Sequence, residues 1–319
     1  MRISIRLAAI AAAAMIAAAP QAMAQKIETL RVTYVASPFN VPSIVMRAKG
    51  YLDEAYAPMG IKVESPEITS GAQQMQALAA GEVHIASVLG GASAILGKAN
   101  GIDVKVIATY SRGAKAYMIL AMPNGPADIK SLKGKTVAGP KGTVLHQLLA
   151  AALAKNGLRL SDVEHVNMDL PSARAALLAG KVDAATLAGN NALAVEKANG
   201  KLLASGDGLL DPTSVIGVRG DLIEKNPQIV AAYLSAHRKA LAFMKANPEE
   251  ALKIAAADQK IDLEDARKMM TYYDFALRVT DRDIANLGAD QDFMVEAGML
   301  KTKIDIAKDL ISPAARTLE

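Results

Sequence analysis

Four histidines, His84, His146, His165 and His237, are the residues of this chain best suited to metal or acid–base chemistry, and their spacing serves neither. No two stand four apart on one helical face, and there is no cysteine to complete a zinc site, so no metal is assigned. The Gly-x-Gly-x-x-Gly fingerprint, the phosphate loop and the Gly-x-Ser-x-Gly elbow do not occur. Nucleotide binding and hydrolysis by a nucleophilic serine therefore lack a foothold. No cofactor is expected, and the residues point to binding without chemistry.

What remains is a set of turns between β-like and helical runs, built from small and polar residues. They are Ser37-Pro38-Phe39-Asn40, Gly90-Gly91-Ala92-Ser93, Ser111-Arg112-Gly113, Gly139-Pro140-Lys141-Gly142-Thr143 and Gly189-Asn190-Asn191. Small residues let a ligand approach the backbone, and free N–H groups at a helix start carry partial positive charge. Converging turns of this kind make an anion site without many cations. Taken singly, each turn reads more readily as ordinary helix capping. Individual side chains keep two readings as well. Arg112 either forks onto an anionic ligand or is a solvated loop arginine. His146, in the first turn of its helix, either faces a cleft or supports the cap. Phe39 either stacks on a ligand or packs in a core, and Lys141 reads as solvated.

The elements that must hold these turns alternate as strand and helix, the pattern of α/β layering. Strands are expected at residues 30–35, 61–63, 85–89, 104–110, 117–122 and 136–138. A helix is expected over 41–49, and another carries Leu145, Leu148, Leu149 and Ala152 at i, i+3, i+4 and i+7 before Asn156-Gly157 stops it. From Pro227 the pattern is almost wholly helical. The segment Ala77-Leu78-Ala79-Ala80-Gly81-Glu82-Val83-His84-Ile85-Ala86 recurs 99 residues later as Ala176-Leu177-Leu178-Ala179-Gly180-Lys181-Val182-Asp183-Ala184-Ala185, and sets Gly90-Gly91-Ala92 against Gly189-Asn190-Asn191. Two copies at so long a period fit two similar lobes better than a solenoid. The chain would cross between lobes near residues 110–123 and return near 211–220, making a hinge, with ligand-binding turns at the carboxyl ends of the strands.

Export is legible at the start of the chain. Arg2 and Arg6 precede an apolar run over residues 7–19, and Ala22-Met23-Ala24 has the small-x-small form of a cleavage site, so a secreted protein beginning at Gln25 is expected. Without Arg2 and Arg6 the 36 lysines and arginines fall to 34, against 32 acidic residues. That balance, with no basic stripe interleaved with aromatics, speaks against nucleic acid. A lipid-anchored protein would need a cysteine at the mature start; its absence implies a freely soluble periplasmic protein, and with no sequence feature that demands an oligomer a monomer is expected.

Leu132-Lys133-Gly134-Lys135-Thr136-Val137-Ala138 leads to Lys141-Gly142-Thr143 and His146. After it come Ala173-Arg174-Ala175-Ala176-Leu177 and Gly180-Lys181-Val182-Asp183-Ala184. With Gly50-Tyr51-Leu52, Gly60-Ile61-Lys62-Val63 and residues 71–86, this series resembles the periplasmic binding proteins for sulfonates, taurine and nitrate, a group that also holds binders and synthases of thiamine pyrimidine precursors. The resemblance implies a two-lobed, type II-like periplasmic-binding-protein fold with a hinge of two crossing segments. Its parts would be a signal peptide at 1–24, a first lobe from 25–116, a second lobe from 117–217, and a return with C-terminal helices over 218–319. It implies the solute-binding component of an ABC uptake transporter, with an inner-membrane permease as partner and a small, sulfonate-, nitrate- or carboxylate-like ligand held by domain closure. Gly142 and Thr143 would offer donors from the second lobe; Gly90, Gly91 and Ala92, with Ser37 to Asn40, would answer from the first. Leu187-Ala188-Gly189-Asn190-Asn191 departs from the aromatic-rich strand end common in sulfonate binders, and the chain has no tryptophan. An enzyme of the pyrimidine or tetrapyrrole pathway on the same fold, or a sensor presenting its closed form to a membrane receptor, are the alternatives.

Overall fold

The computed structural model describes residues 27–35 and 39–318. The expected signal peptide and the Ser37-Pro38 part of the first turn lie outside them. The first half of the chain lays down β1 (Thr29–Arg31), α1 (Val41–Ala48), α2 (Tyr51–Tyr56), β2 (Lys62–Glu64), α3 (Gly71–Ala80), β3 (Ile85–Gly90), α4 (Gly91–Ala99) and β4 (Val104–Arg112). The second unit comprises β5 (Tyr117–Ala121), β6 (Thr136–Gly139), α5 (Val144–Lys155), β7 (Glu164–Asn167), α6 (Leu170–Leu178), β8 (Ala184–Ala188), α7 (Gly189–Lys197) and β9 (Lys201–Ser205). The chain returns through β10 (Thr213–Arg219) and α8 (Gly220–Lys225). It ends with α9 (Pro227–Ala246), α10 (Pro248–Gln259), α11 (Leu263–Met270) and α12 (Asp281–Glu296).

One strand order appears twice. In the first lobe β1 pairs in parallel with β2 and is bridged to β3 through Val32 and Ile85, while β10 lies antiparallel between β3 and β4. The order is β2-β1-β3-β10-β4. In the second lobe the order is β7-β6-β8-β5-β9, with β5 as the antiparallel member in the same fourth place. Each odd strand is the one that follows a crossing between lobes. β10 joins the first sheet from Thr213, ahead of the boundary at 217 that the sequence suggested, because its pairing with Arg112 and Ser111 begins there.

The sequence repeat is a structural one. Helix α3, a glycine in left-handed conformation, β3 and α4 correspond to α6, a glycine, β8 and α7; Gly81 and Gly180 have φ of 74° and 63°. That conformation ends both helices where a side chain would be strained.

Each sheet is covered on both faces. Leu30, Ile44, Tyr110 and Tyr233 belong to the core that α1, α2 and α9 to α11 form on the first sheet, and Leu78, Leu89, Ile95 and Leu287 to the core under α3, α4 and α12. In the second lobe the stripe Leu145, Leu148, Leu149 and Ala152 is fully buried, as its spacing predicts. Each leucine there contributes about 1.5–3 kcal/mol of burial. The segments 113–116 and 206–212 carry the chain between the lobes. A third stretch, residues 271–280, straps the hinge: its Asp274 bridges to Arg112, and Tyr272 reaches the core of the second lobe.

Candidate ligand-binding cleft

The repeated unit delivers one helix start from each lobe to the junction. α4 opens at Gly90 and α7 at Ala188, and neither has a side-chain cap. The helices α3, α6, α11 and α12 are capped by Ser70, Asp169, Asp262 and Thr280, whose side chains accept the N–H groups of Gln73, Ser172, Asp265 and Asp283, while α1, α2 and α8 to α10 also lack a side-chain cap. The first turns of α4 and α7 thus keep their backbone donors free of side-chain caps, which suits an anion. Glycine is required at both. A Cβ on Gly91 would stand 2.4 Å from Leu287 and 2.9 Å from the Thr213 carbonyl oxygen, while Gly189 has φ of 58°. Ala92 is half-buried behind Gly91, and Asn191 is buried with its amide donating to Asn190 Oδ1 at 3.3 Å.

The Gly142-Thr143 turn is built differently from what the sequence suggested, because both of its donors are engaged. The Gly142 N–H points to His146 Nδ1 at 3.3 Å, and the Thr143 hydroxyl donates to the Pro140 carbonyl at 2.8 Å while accepting from Leu145 N–H at 3.2 Å. Thr143 caps α5. Thr143→Ala is therefore expected to lower unfolding free energy by about 1 kcal/mol in urea melts, the usual worth of a cap. Gly142 sits at φ of 73°, so conformation already demands glycine there.

His146 faces other protein groups. Its ring lies 4.7 Å from His165 and edge-on to Phe293 of α12 at 5.7 Å, so α5 of one lobe touches α12 of the other. Burial, then the charge of Lys141, lowers the His146 pKa; burial, then His146 and Lys141, takes His165 down to about 4. Both are neutral near pH 7. The Lys141 side chain is exposed.

Arg112 is fully engaged within the protein. Its Nε and Nη2 fork onto Asp283 at 2.6 and 2.7 Å, Nη1 reaches Asp274 at 3.2 Å, and Nη2 also donates to the Arg278 carbonyl at 3.0 Å. The guanidinium binds the end of β4 to the strap and to α12. Phe39 is 1% exposed and belongs to the first core. Asn40, equally buried, turns its amide back to the Val35 carbonyl at 2.8 Å. Phe39 thus packs in a core in this conformation, whereas Arg112 is neither solvated nor free for an anion, being ion-paired within the protein.

Sequence reasoning passed over Asp290, Gln147, Tyr117, Tyr272 and Tyr273. Tyr117 hydrogen-bonds Ser214 across the hinge. A Cβ on Gly113 would meet the Tyr273 ring at 2.7 Å. Tyr272 and Tyr273 close with Gly189 and Met118 on a void of about 10 Å³, room for a single water. Gln147, Leu209, Leu210, Asp211, Asn286 and Asp290 line a cavity of about 300 Å³ between the lobes. Asp290 is buried there, and burial pushes its carboxyl up to about 6 despite a hydrogen bond from Gln147. Among the described residues no group of three or more His, Cys, Asp or Glu is placed to hold a metal, and no helix is long and apolar enough to cross a membrane.

Two α/β lobes of one strand order, joined by a hinge with a helix start from each lobe beside it, define the periplasmic-binding-protein fold. Residues 38–251 match the family described as NMT1/THI5 like, and the chain belongs to that family. It is 30% identical over 275 residues to a protein of Bacillus subtilis (strain 168) provisionally named an aliphatic sulfonates-binding protein, covering 85% of this chain and 82% of that one. Over 200 residues, 61% of each chain, it is 31% identical to the taurine-binding periplasmic protein of Escherichia coli (strain K12). The alkanesulfonate-binding protein SsuA of Xanthomonas axonopodis pv. citri, bound to MOPS, superposes with a TM-score of 0.81 at 21% identity, over 89% of this chain and 99% of that one. The desulfurization enzyme DSZB shares the fold with a TM-score of 0.69 at 15% identity, over 91% and 98%.

Proposed function

We propose that this protein is the solute-binding component of an ABC uptake system, working in the periplasm after cleavage behind Ala24. In this reading it captures a small organic anion, sulfonate-, nitrate- or carboxylate-like, by closing the second lobe against the first. The observation that carries the reading is the pair of uncapped starts at α4 and α7, one in each lobe and at equivalent places in the repeat. Each offers backbone donors and the positive end of a helix dipole, and closure around the ligand would remove competing water. The names of the relatives support the ligand class. The partner is then an inner-membrane permease, and the protein acts as a monomer.

An enzymatic reading has the DSZB fold similarity in its favour. Against it, the chain has no cysteine to serve as nucleophile, and its neutral His146–His165 pair is packed against Phe293. A thermal-shift panel of sulfonates, carboxylates, nitrate and pyrimidines on the chain from Gln25 separates the readings. A true ligand at about a hundred times its Kd stabilises by about 2.7 kcal/mol and is recovered unchanged. A stabilising compound consumed during the assay would establish the enzyme instead.

A further inference from the structure

The start of α4, where an anion would sit, is shared with an acid. Asp290 projects from α12 to the Gly91 turn, its Oδ2 standing 3.6 Å from the position of a Cβ on Gly91, and the residue is 8% exposed. It borders the 300 Å³ cavity between the lobes. No cation pairs with it among the described residues; burial raises its carboxyl against a hydrogen bond from Gln147, which comes from α5 of the other lobe. The charged and titratable groups around it are engaged elsewhere. On α12 itself Arg282 pairs with Asp211 of the segment 206–212, Asp283 with Arg112 and Asp292 with Lys303. On α5, His146 is turned to His165 and Phe293. On α4, Lys98 lies at the far end and pairs with Asp103. In the turn at 306–310, Lys308 is exposed and Asp309 accepts from the Asp305 N–H. Burial, with the Asp290 charge adding to it, keeps the Tyr117 phenol of β5 neutral while it bonds Ser214 of β10.

Two anions sharing one water-poor turn cannot both stay charged at little cost, and the carboxylate is the one that can take up a proton. The neutral acid suits both of its neighbours. One oxygen accepts from the Gln147 amide, and the other carries an O–H free to donate to an oxygen of a ligand.

We propose that anion capture in this cleft is coupled to proton uptake at Asp290: the anion occupies the Gly91 turn only when Asp290 is the neutral acid, which then donates its O–H to it. The inference rests on the anion-binding reading above and adds its regulation. At neutral pH the resident carboxylate stands in the anion's place beside the start of α4, so one proton enters from solvent for each anion bound. Capture is therefore strongest in acidic surroundings.

Ethanesulfonate, butanesulfonate and nitrate are anions of strong acids, so any pH dependence of their binding near neutrality belongs to the protein. Calorimetric titration of the chain from Gln25 at about pH 7.5, in two buffers of different ionisation enthalpy, should show an uptake approaching one proton per anion bound. From about pH 5 to about pH 7.5 the wild-type affinity should fall about thirtyfold, which is the change in the fraction of neutral acid for a carboxyl raised to about 6. Asp290→Asn should bind throughout that interval within about threefold of the wild type at about pH 5, without proton uptake, because its amide donates where the acid's O–H did and still accepts from Gln147. A wild-type affinity that does not change with pH, a proton uptake that survives Asp290→Asn, or a variant weakened at every pH would each overturn the role of Asp290 and leave the anion reading standing. No binding of any of the three anions by either protein across the interval would overturn both.

Discussion

Arg112→Leu is expected to destabilise the protein by about 3–5 kcal/mol, among the largest losses available to a single side chain outside the core. The pair it breaks is bidentate, and Asp283 is completely buried beneath it. Removing the arginine leaves a buried carboxylate with no cation, held by Thr280, whose N–H and hydroxyl donate at 2.7 and 2.6 Å, and at 3.5 Å by the Thr213 hydroxyl. Burial works to raise the Asp283 pKa, but the Arg112 and Thr280 hydrogen bonds outweigh it and hold the carboxyl below the ordinary aspartate value. A depressed acid stabilises the fold above its unfolded-state pKa. The pair's contribution should therefore be intact at neutral pH and be lost as the pH falls below the normal aspartate range. Urea melts of Arg112→Leu and of Arg112→Leu with Asp283→Leu check the argument: the double variant should recover much of the loss, since two apolar side chains leave no charge stranded.

Asp290→Asn should act in the opposite direction and stabilise the unliganded protein at neutral pH. The wild-type carboxyl is raised from 3.8 to about 6 by burial, so the folded state holds its proton more tightly than the unfolded chain does. Stability from a raised acid is present below the unfolded-state pKa and lost as the pH climbs through the folded value. The wild type should thus weaken by about 1–3 kcal/mol between about pH 4 and pH 7. Asparagine, neutral throughout, should remove that slope and gain most of the difference at pH 7. Thermal melts of both proteins across that interval would show it, and parallel slopes would refute it.

These two aspartates also mark the limit of what the sequence could disclose. The repeat at an offset of 99 was legible because helix, glycine stop, buried strand and helix leave a pattern in local composition. The α5 stripe was legible for the same reason. β7 and β9 were not expected: each is a short edge strand, largely exposed or half-buried, with no apolar alternation to announce it. Arg112 was singled out as a potential ligand contact because a loop arginine after a strand carries no sign of its partner; Asp283 lies 171 residues away. Phe39 next to a proline looked equally like a stacking surface and a core residue, and only its packing shows it in the first core. Asp290, Asn286 and Gln147 belong to helices whose polar residues look like any solvated face. Asp290 is buried where α12 packs on the start of α4, and Asn286 and Gln147 are half-buried where α12 comes near α5 of the other lobe.

Closure of the two lobes around a small ligand can be read by small-angle scattering of the chain from Gln25. Profiles would be taken with and without a saturating amount of the compound that gives the largest thermal shift. A smaller radius of gyration and an unchanged molecular mass are expected in the presence of that compound. An identical profile at proven saturation would contradict closure, placing the site within one rigid lobe.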